Sequence, residues 1–152
     1  MNQTSIQKSG IINVQFGIDV KVIEPVNIYG CKIGNNCFIG PFVEIQKDVI
    51  VGDNTKIQSH SFLCELVKIG SDCFIGHGVM FINDLFSDGG PARGDKSKWK
   101  ETNIGNNVSI GSNATILPVK ICNNVVIGAG AVVTKDINEP GTYIGNPAKK
   151  II

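Results

Sequence analysis

A short stretch near the middle of the chain holds the side chains best suited to chemistry. His60 and His77 are the only imidazoles, and a neutral imidazole with a near-neutral pKa suits a general base. Asn83 and Asp84 close the run Ile75-Gly-His-Gly-Val-Met-Phe-Ile-Asn-Asp84. An amide there can orient an amine or a hydroxyl, and a carboxylate can accept a proton. Arg93, the only arginine, can meet a pyrophosphate or a carboxylate bidentately. Each has a plainer reading: a solvated face for the histidines and Arg93, a simple turn for Asn83-Asp84.

What must position these residues is a six-residue beat. Aliphatic or aromatic residues fall at Ile33, Ile39, Ile45, Val51, Ile57, Leu63, Ile69, Ile75 and Phe81, then at Ile104, Ile110 and Ile116, then at Ile121, Ile127 and Val133. Glycine often follows the beat, and four residues after it the side chain is small or branched, as at Cys37, Val43, Thr55, Ser61 and Ala114. One large and one small inward position per hexapeptide fills a narrow tube. Repeats this short signify a parallel β-helix.

A second period of eighteen lies on the first: Asn35-Asn36, Asp53-Asn54 and Asp72 return as Asn106-Asn107 and Asn123-Asn124. Asn and Asp tolerate left-handed backbone and suit corners, so three sides of six residues make one coil. Two five-residue steps, Ile28 to Ile33 and Ile116 to Ile121, fall on the third side. Extending the register back through Phe16 and Val22 predicts about six coils, roughly 30 Å of prism.

The beat breaks once, and an extended loop is expected over about 86–103, carrying Gly89-Gly90-Pro91, Arg93 and the only tryptophan, Trp99. A long loop on a rigid scaffold is either functional or merely solvated; the functional reading is a flap that packs on a neighbouring subunit and borders a substrate pocket. Eighteen-residue stacking places Lys47, Glu65 and Asn83 in one column and sets His60 beside His77. Both columns are expected near the origin of the loop, as convergent polar groups beside a covering segment.

A chain of 152 residues fits a single domain over 1–152. A net charge of +1 gives no reason to expect nucleic acid or a polybasic membrane contact. No stretch approaches a membrane span and Met-Asn-Gln-Thr lacks a signal-peptide core, so a cytoplasmic location is expected. None of the five cysteines pairs at ligand-like CxxC spacing; they read as buried reduced thiols.

The repeat, the run Ile127-Gly-Ala-Gly-Ala-Val-Val-Thr-Lys-Asp136 and the segment Tyr143-Ile-Gly-Asn-Pro-Ala-Lys-Lys150 resemble the hexapeptide-repeat acyltransferases over nearly the whole chain. The Ile75–Asp84 run and its Gly/Pro/Arg loop make it most similar to bacterial N-acetyltransferases of nucleotide-linked 3-amino sugars. The resemblance implies an all-β, left-handed parallel β-helix in the form of a triangular prism. It implies a homotrimer with acetyl-CoA between two subunits and no metal, and a role in lipopolysaccharide or other surface-polysaccharide biosynthesis. It further implies that backbone around Gly111, Ala129 and Ala131 lines the pantetheine arm, that Pro147 borders the adenine, and that Lys135, Lys149 or Lys150 faces phosphates, unless those lysines are simply solvated. It implies that Asn83 contacts the reacting sugar; by their own placement and chemistry Asp84 is a further catalytic candidate and Glu65, His60 and Arg93 are candidates for binding substrate.

Other readings stay open. Many hexapeptide acyltransferases use a histidine base, for which His77 is the better candidate, and O-acetyl transfer to a sugar or serine hydroxyl is the alternative reaction. A zinc carbonic anhydrase on this scaffold needs three histidines, and the chain has two. A non-enzymatic structural β-helix is the remaining alternative, and CoA binding separates it from the enzyme.

Overall fold

An inward aliphatic residue every sixth position leaves the chain one way to bury them all, which is to coil and stack on itself. The computed structural model describes residues 3–151. Its strands form three faces of a left-handed parallel β-helix, with seven, six and eight strands. Apart from the antiparallel pair Gly141–Ile144 with Lys149–Lys150, all strand pairs are parallel. Register follows the coil length: Leu63 pairs with Ile45, eighteen residues back, and Ile116 with Val133, seventeen on. The expected six coils become about seven, because Ile11–Ile12 adds a strand beside Asn27–Tyr29. Those two isoleucines are 42% and 49% exposed, so this open end carries no inward beat.

Every beat residue is buried, and so are the small positions, from Cys37 and Val43 to Val125 and Ala131. Polar members of the small column are satisfied internally. Thr55 Oγ1 donates to the Gly70 carbonyl at 3.0 Å and Ser61 Oγ to that of Gly76 at 2.8 Å. Cys37, Cys73 and Cys64 are buried free thiols as expected, whereas Cys122 is only half-buried. Burial pushes the Cys31 thiol up to about 11 and that of Cys64 to about 12.

The Asn and Asp pairs make the first corner. Asn36, Asn54, Asp72, Asn107 and Asn124 all have φ between 53° and 61°, the left-handed region these residues tolerate. Their side chains form ladders along the prism, with Asn54 Nδ2 donating to Asp72 Oδ1 at 3.0 Å and Asn107 Nδ2 to Asn124 Oδ1 at 2.8 Å. A second corner runs through Phe42, His60, Gly78, Asn113 and Gly130, a third through Gly30, Asp48 and Leu66, all at positive φ.

The loop leaves after Met80–Phe81, and regular structure resumes at Thr102–Ile104. It therefore ends before the expected Asn103: Thr102 is already paired with Val67 and is buried. One 3-10 turn, Lys96–Lys98, is capped by Asp95, whose carboxylate accepts from the Ser97 N–H.

Candidate active site

The edge where the loop emerges differs from the other two. There the residue after the beat is mostly glycine for steric reasons: a Cβ on Gly34 would lie 2.4 Å from Asp53 Oδ1, and one on Gly111 2.4 Å from the Ala129 nitrogen. On the loop edge the same position carries side chains. Gln46, Cys64, Ile82 and Leu117 stack one coil upon the next. This ladder, with Phe62 and Phe81, forms one wall of a groove of about 570 Å³, and Leu85, Phe86 and Trp99 from the loop form the other.

Asn83 lies at the loop's exit and lines the groove. Its Nδ2 donates to the Glu65 carbonyl at 3.1 Å, and its own carbonyl accepts from the Lys100 N–H at 2.9 Å, which closes the base of the loop. With Nδ2 engaged, Oδ1 is the free end of the amide. Stacking of Asn83 on Glu65, expected from the eighteen-residue period, is thus realised. Glu65 itself differs from expectation. Its carboxylate, 14% exposed, takes Lys96 Nζ on both oxygens at 2.9 and 2.7 Å. It ties the loop down and is not free to hold a substrate. Lys96 also lies 5.3 Å over the Trp99 ring, a cation–π contact.

Asp84 is corrected in the same way. Its Oδ1 accepts from the Phe86 N–H at 2.9 Å and its Oδ2 from the Ala92 N–H at 2.7 Å. The carboxylate builds the loop's first turn and draws Ala92 into a buried position.

The histidines do not join this cluster. His60 and His77 sit at the second corner, at the start of the strand whose far end leads to Asn83. Four to five extended residues separate them from it, about 15 Å. The expected convergence of the two polar columns within one protomer is therefore overturned: a prism side lies between them. His60 stacks on Phe42, ring centroids 4.9 Å apart and ring planes nearly parallel. The exposed His77 ring makes no hydrogen bond among the described residues. Lys47 points to solvent beside Asp48. Arg93 is exposed at φ 53° and is not among the groove residues.

Along the last coils, Gly111 stands in register with Gly128, next to Ala129, since its N–H donates to the Ile127 carbonyl at 2.8 Å. Ala129 is exposed. Ala131 is fully buried; its N–H donates to Gly128 and its carbonyl accepts from Thr115. It therefore packs the core and does not face a ligand. Pro147, Lys135 and Lys149 are exposed. Lys150 is drawn to Glu139 at 3.0 Å, and that contact raises its pKa, so it is the least free of the three lysines.

Phe62, Cys64, Leu117 and Phe86 belong to the groove but were not expected there. A signal existed: Cys64 and Leu117 occupy slots where glycine is the rule. Among the described residues no cluster of three His, Cys, Asp or Glu could hold a metal, and no helix is long and apolar enough to cross a membrane.

Comparison with known proteins adds the following. Residues 30–64 match the family "Bacterial transferase hexapeptide (six repeats)" and residues 101–135 match "Hexapeptide repeat of succinyl-transferase". The bifunctional protein GlmU of Clostridium botulinum (strain Kyoto / Type A2) is 39% identical over 109 residues, covering 71% of this chain and 21% of that relative. The chain thus spans about a fifth of the length of such relatives. A mutant of AntD, an N-acyltransferase from Bacillus cereus, solved with dTDP and coenzyme A, superposes with a TM-score of 0.79 at 22% identity, covering 95% of this chain and 83% of that one. A maltose O-acetyltransferase from Clostridium difficile 630 superposes at 0.64 with 26% identity, covering 92% and 68%.

Proposed function

The chain belongs to the hexapeptide-repeat acyltransferase family, and on that premise we propose that it transfers the acetyl group of acetyl-CoA to the 3-amino group of a nucleotide-linked amino sugar, within surface-polysaccharide biosynthesis. The observation that carries this reading is the fixed amide of Asn83. With Nδ2 held by the Glu65 carbonyl, Oδ1 is presented to the groove as an acceptor. An acceptor there suits a neutral amine, which must donate an N–H while its lone pair is aimed at the thioester carbon. The similarity to an N-acyltransferase solved with dTDP and coenzyme A supports the same choice.

In the proposed reaction the amine nitrogen attacks the thioester carbon. The new C–N bond forms, the C–S bond breaks, and the amine proton ends on the departing CoA sulfur. The two carboxylates nearest Asn83, those of Asp84 and Glu65, are both engaged in holding the loop, which favours the sulfur as the proton's destination. CoA would lie along the last coils past Gly111 and Ala129, with Pro147 towards the adenine and Lys135 and Lys149 towards phosphates as point charges. The proposed assembly is a homotrimer, with CoA between two protomers.

One observation favours a second reading. The exposed, unbonded ring of His77 is available as a base, as O-acetyl transfer to a hydroxyl requires. The test is CoA release from acetyl-CoA with dTDP-3-amino-3,6-dideoxy-galactose, dTDP-3-amino-3,6-dideoxy-glucose and UDP-linked 3-amino-glucuronate. Turnover of one supports N-acetylation. Turnover of hydroxyl acceptors alone, abolished by His77→Ala, supports the second reading.

A further inference from the structure

The groove beside Asn83 is larger and more apolar than a two-carbon acyl group needs. Its volume of about 570 Å³ lies in the range that encloses whole small-molecule ligands. Its walls are the Cys64–Ile82–Leu117 ladder, Phe62, and Phe86 and Trp99 from the loop.

The polar groups that reach the groove are nearly all engaged by the protein. Gln46 Nε2 donates to Glu44 at 3.0 Å and its Oε1 accepts from the Glu65 N–H at 3.3 Å. Asp84 holds two backbone N–H groups, and Asn83 Nδ2 holds the Glu65 carbonyl. Asn83 Oδ1 is left free at the rim, and the Trp99 indole N–H has no partner among the described residues. A sugar ring or a nucleobase in the groove would bury most of its hydroxyl or edge groups without partners, at substantial cost. A hydrocarbon would not.

We infer that this groove receives the acyl chain of the donor, so that acyl-CoA thioesters of about four to six carbons bind more tightly than the acetyl-CoA of the proposed reaction. The inference rests on the proposed function in one respect, the placing of the amine at Asn83. The thioester carbon must then come within about 3.5 Å of that amine. The chain attached to the same carbon has to leave into the space adjoining Asn83, whichever way the CoA arm arrives, and that space is the groove. The transfer itself is unchanged: the amine nitrogen bonds to the acyl carbon, the C–S bond breaks, and the proton goes to the CoA sulfur.

Trp99, the only tryptophan, lines the groove and reports on it directly. The experiment titrates the protein with CoA, acetyl-CoA, butyryl-CoA and hexanoyl-CoA while following tryptophan emission. The expected result is a blue shift with butyryl- and hexanoyl-CoA, none with CoA, and affinity rising roughly fourfold per added methylene. Leu117→Phe, which fills the groove, should lower the preference for hexanoyl over acetyl roughly tenfold. Equal affinity for all four with unmoved emission overturns the inference and leaves acetyl transfer standing. An emission already blue and unmoved by any of them overturns it too, marking the groove as covered by a second copy. If none of the four binds, both the inference and the proposed function fall.

Discussion

Asn83 Nδ2 donates to the backbone carbonyl of Glu65, one coil away, at 3.1 Å, while the Glu65 side chain holds Lys96 of the loop. One residue therefore orients the candidate catalytic amide through its main chain and ties down the flap through its side chain. Asn83→Ala is expected to lower kcat by about 10- to 100-fold, the loss of one to two oriented hydrogen bonds, with thermal stability reduced by about 1 kcal/mol. Steady-state kinetics on the amino sugar that turns over would check it. Full activity in Asn83→Ala removes the proposed site.

Releasing the loop should be separable from damaging the amide. Lys96→Met deletes the ion pair and leaves the Asn83 contact in place. Lys96 is 57% exposed, so global stability should change by no more than about 1 kcal/mol. Proteolysis within 86–100 should nevertheless become faster and salt-independent, while in the wild type it should rise with ionic strength. Identical cleavage rates in the two proteins would mean that the pair does not hold the flap.

The glycines after the beat are steric requirements, and their contrast with loop glycines is measurable. Gly34→Ala places a Cβ 2.4 Å from Asp53 Oδ1 and 2.7 Å from its backbone nitrogen and should destabilise by at least about 1–3 kcal/mol. Gly90→Ala meets nothing within 4 Å and should stay within about 0.5 kcal/mol of wild type. Urea denaturation gives both numbers. Equal midpoints would contradict the packing described here.

The thiols make a pH-dependent prediction. Burial raises Cys31 to about 11 and Cys64 to about 12, above their unfolded values. In the unfolded chain these thiols ionise first, so the unfolded state binds fewer protons and stability falls as pH rises from about 9 towards 12. Below about pH 8 the two thiols should not contribute to any pH dependence. Native labelling at pH 8 should modify half-buried Cys122 first, with Cys31 and Cys64 reacting only on unfolding. Early labelling of Cys64 would show that the groove floor opens.

Much of the molecule was legible in its order of residues because stacking makes structure local. A beat of six and a corner every eighteen residues specify which side chains point inward and which lie above one another. Hence the inward face of Ile33 through Val133, the Asn36–Asn54–Asp72 corner and the placing of Asn83 on Glu65 all followed from counting. What counting could not reach was which way a polar side chain turns and what it then meets. Spacing makes Glu65 a substrate-binding candidate and Asp84 a catalytic one, but the loop folds back so that Lys96 and two backbone N–H groups engage them. His77 and Asn83 lie six positions apart, yet an extended strand holds them at opposite ends of one prism side. The groove arises where Gln46, Cys64, Ile82 and Leu117 displace glycine beneath a returning Trp99. Periodicity supplies the ladder, whereas the loop's path, set by its own turns and its ion pair with Glu65, has no period and is decided only by tertiary packing.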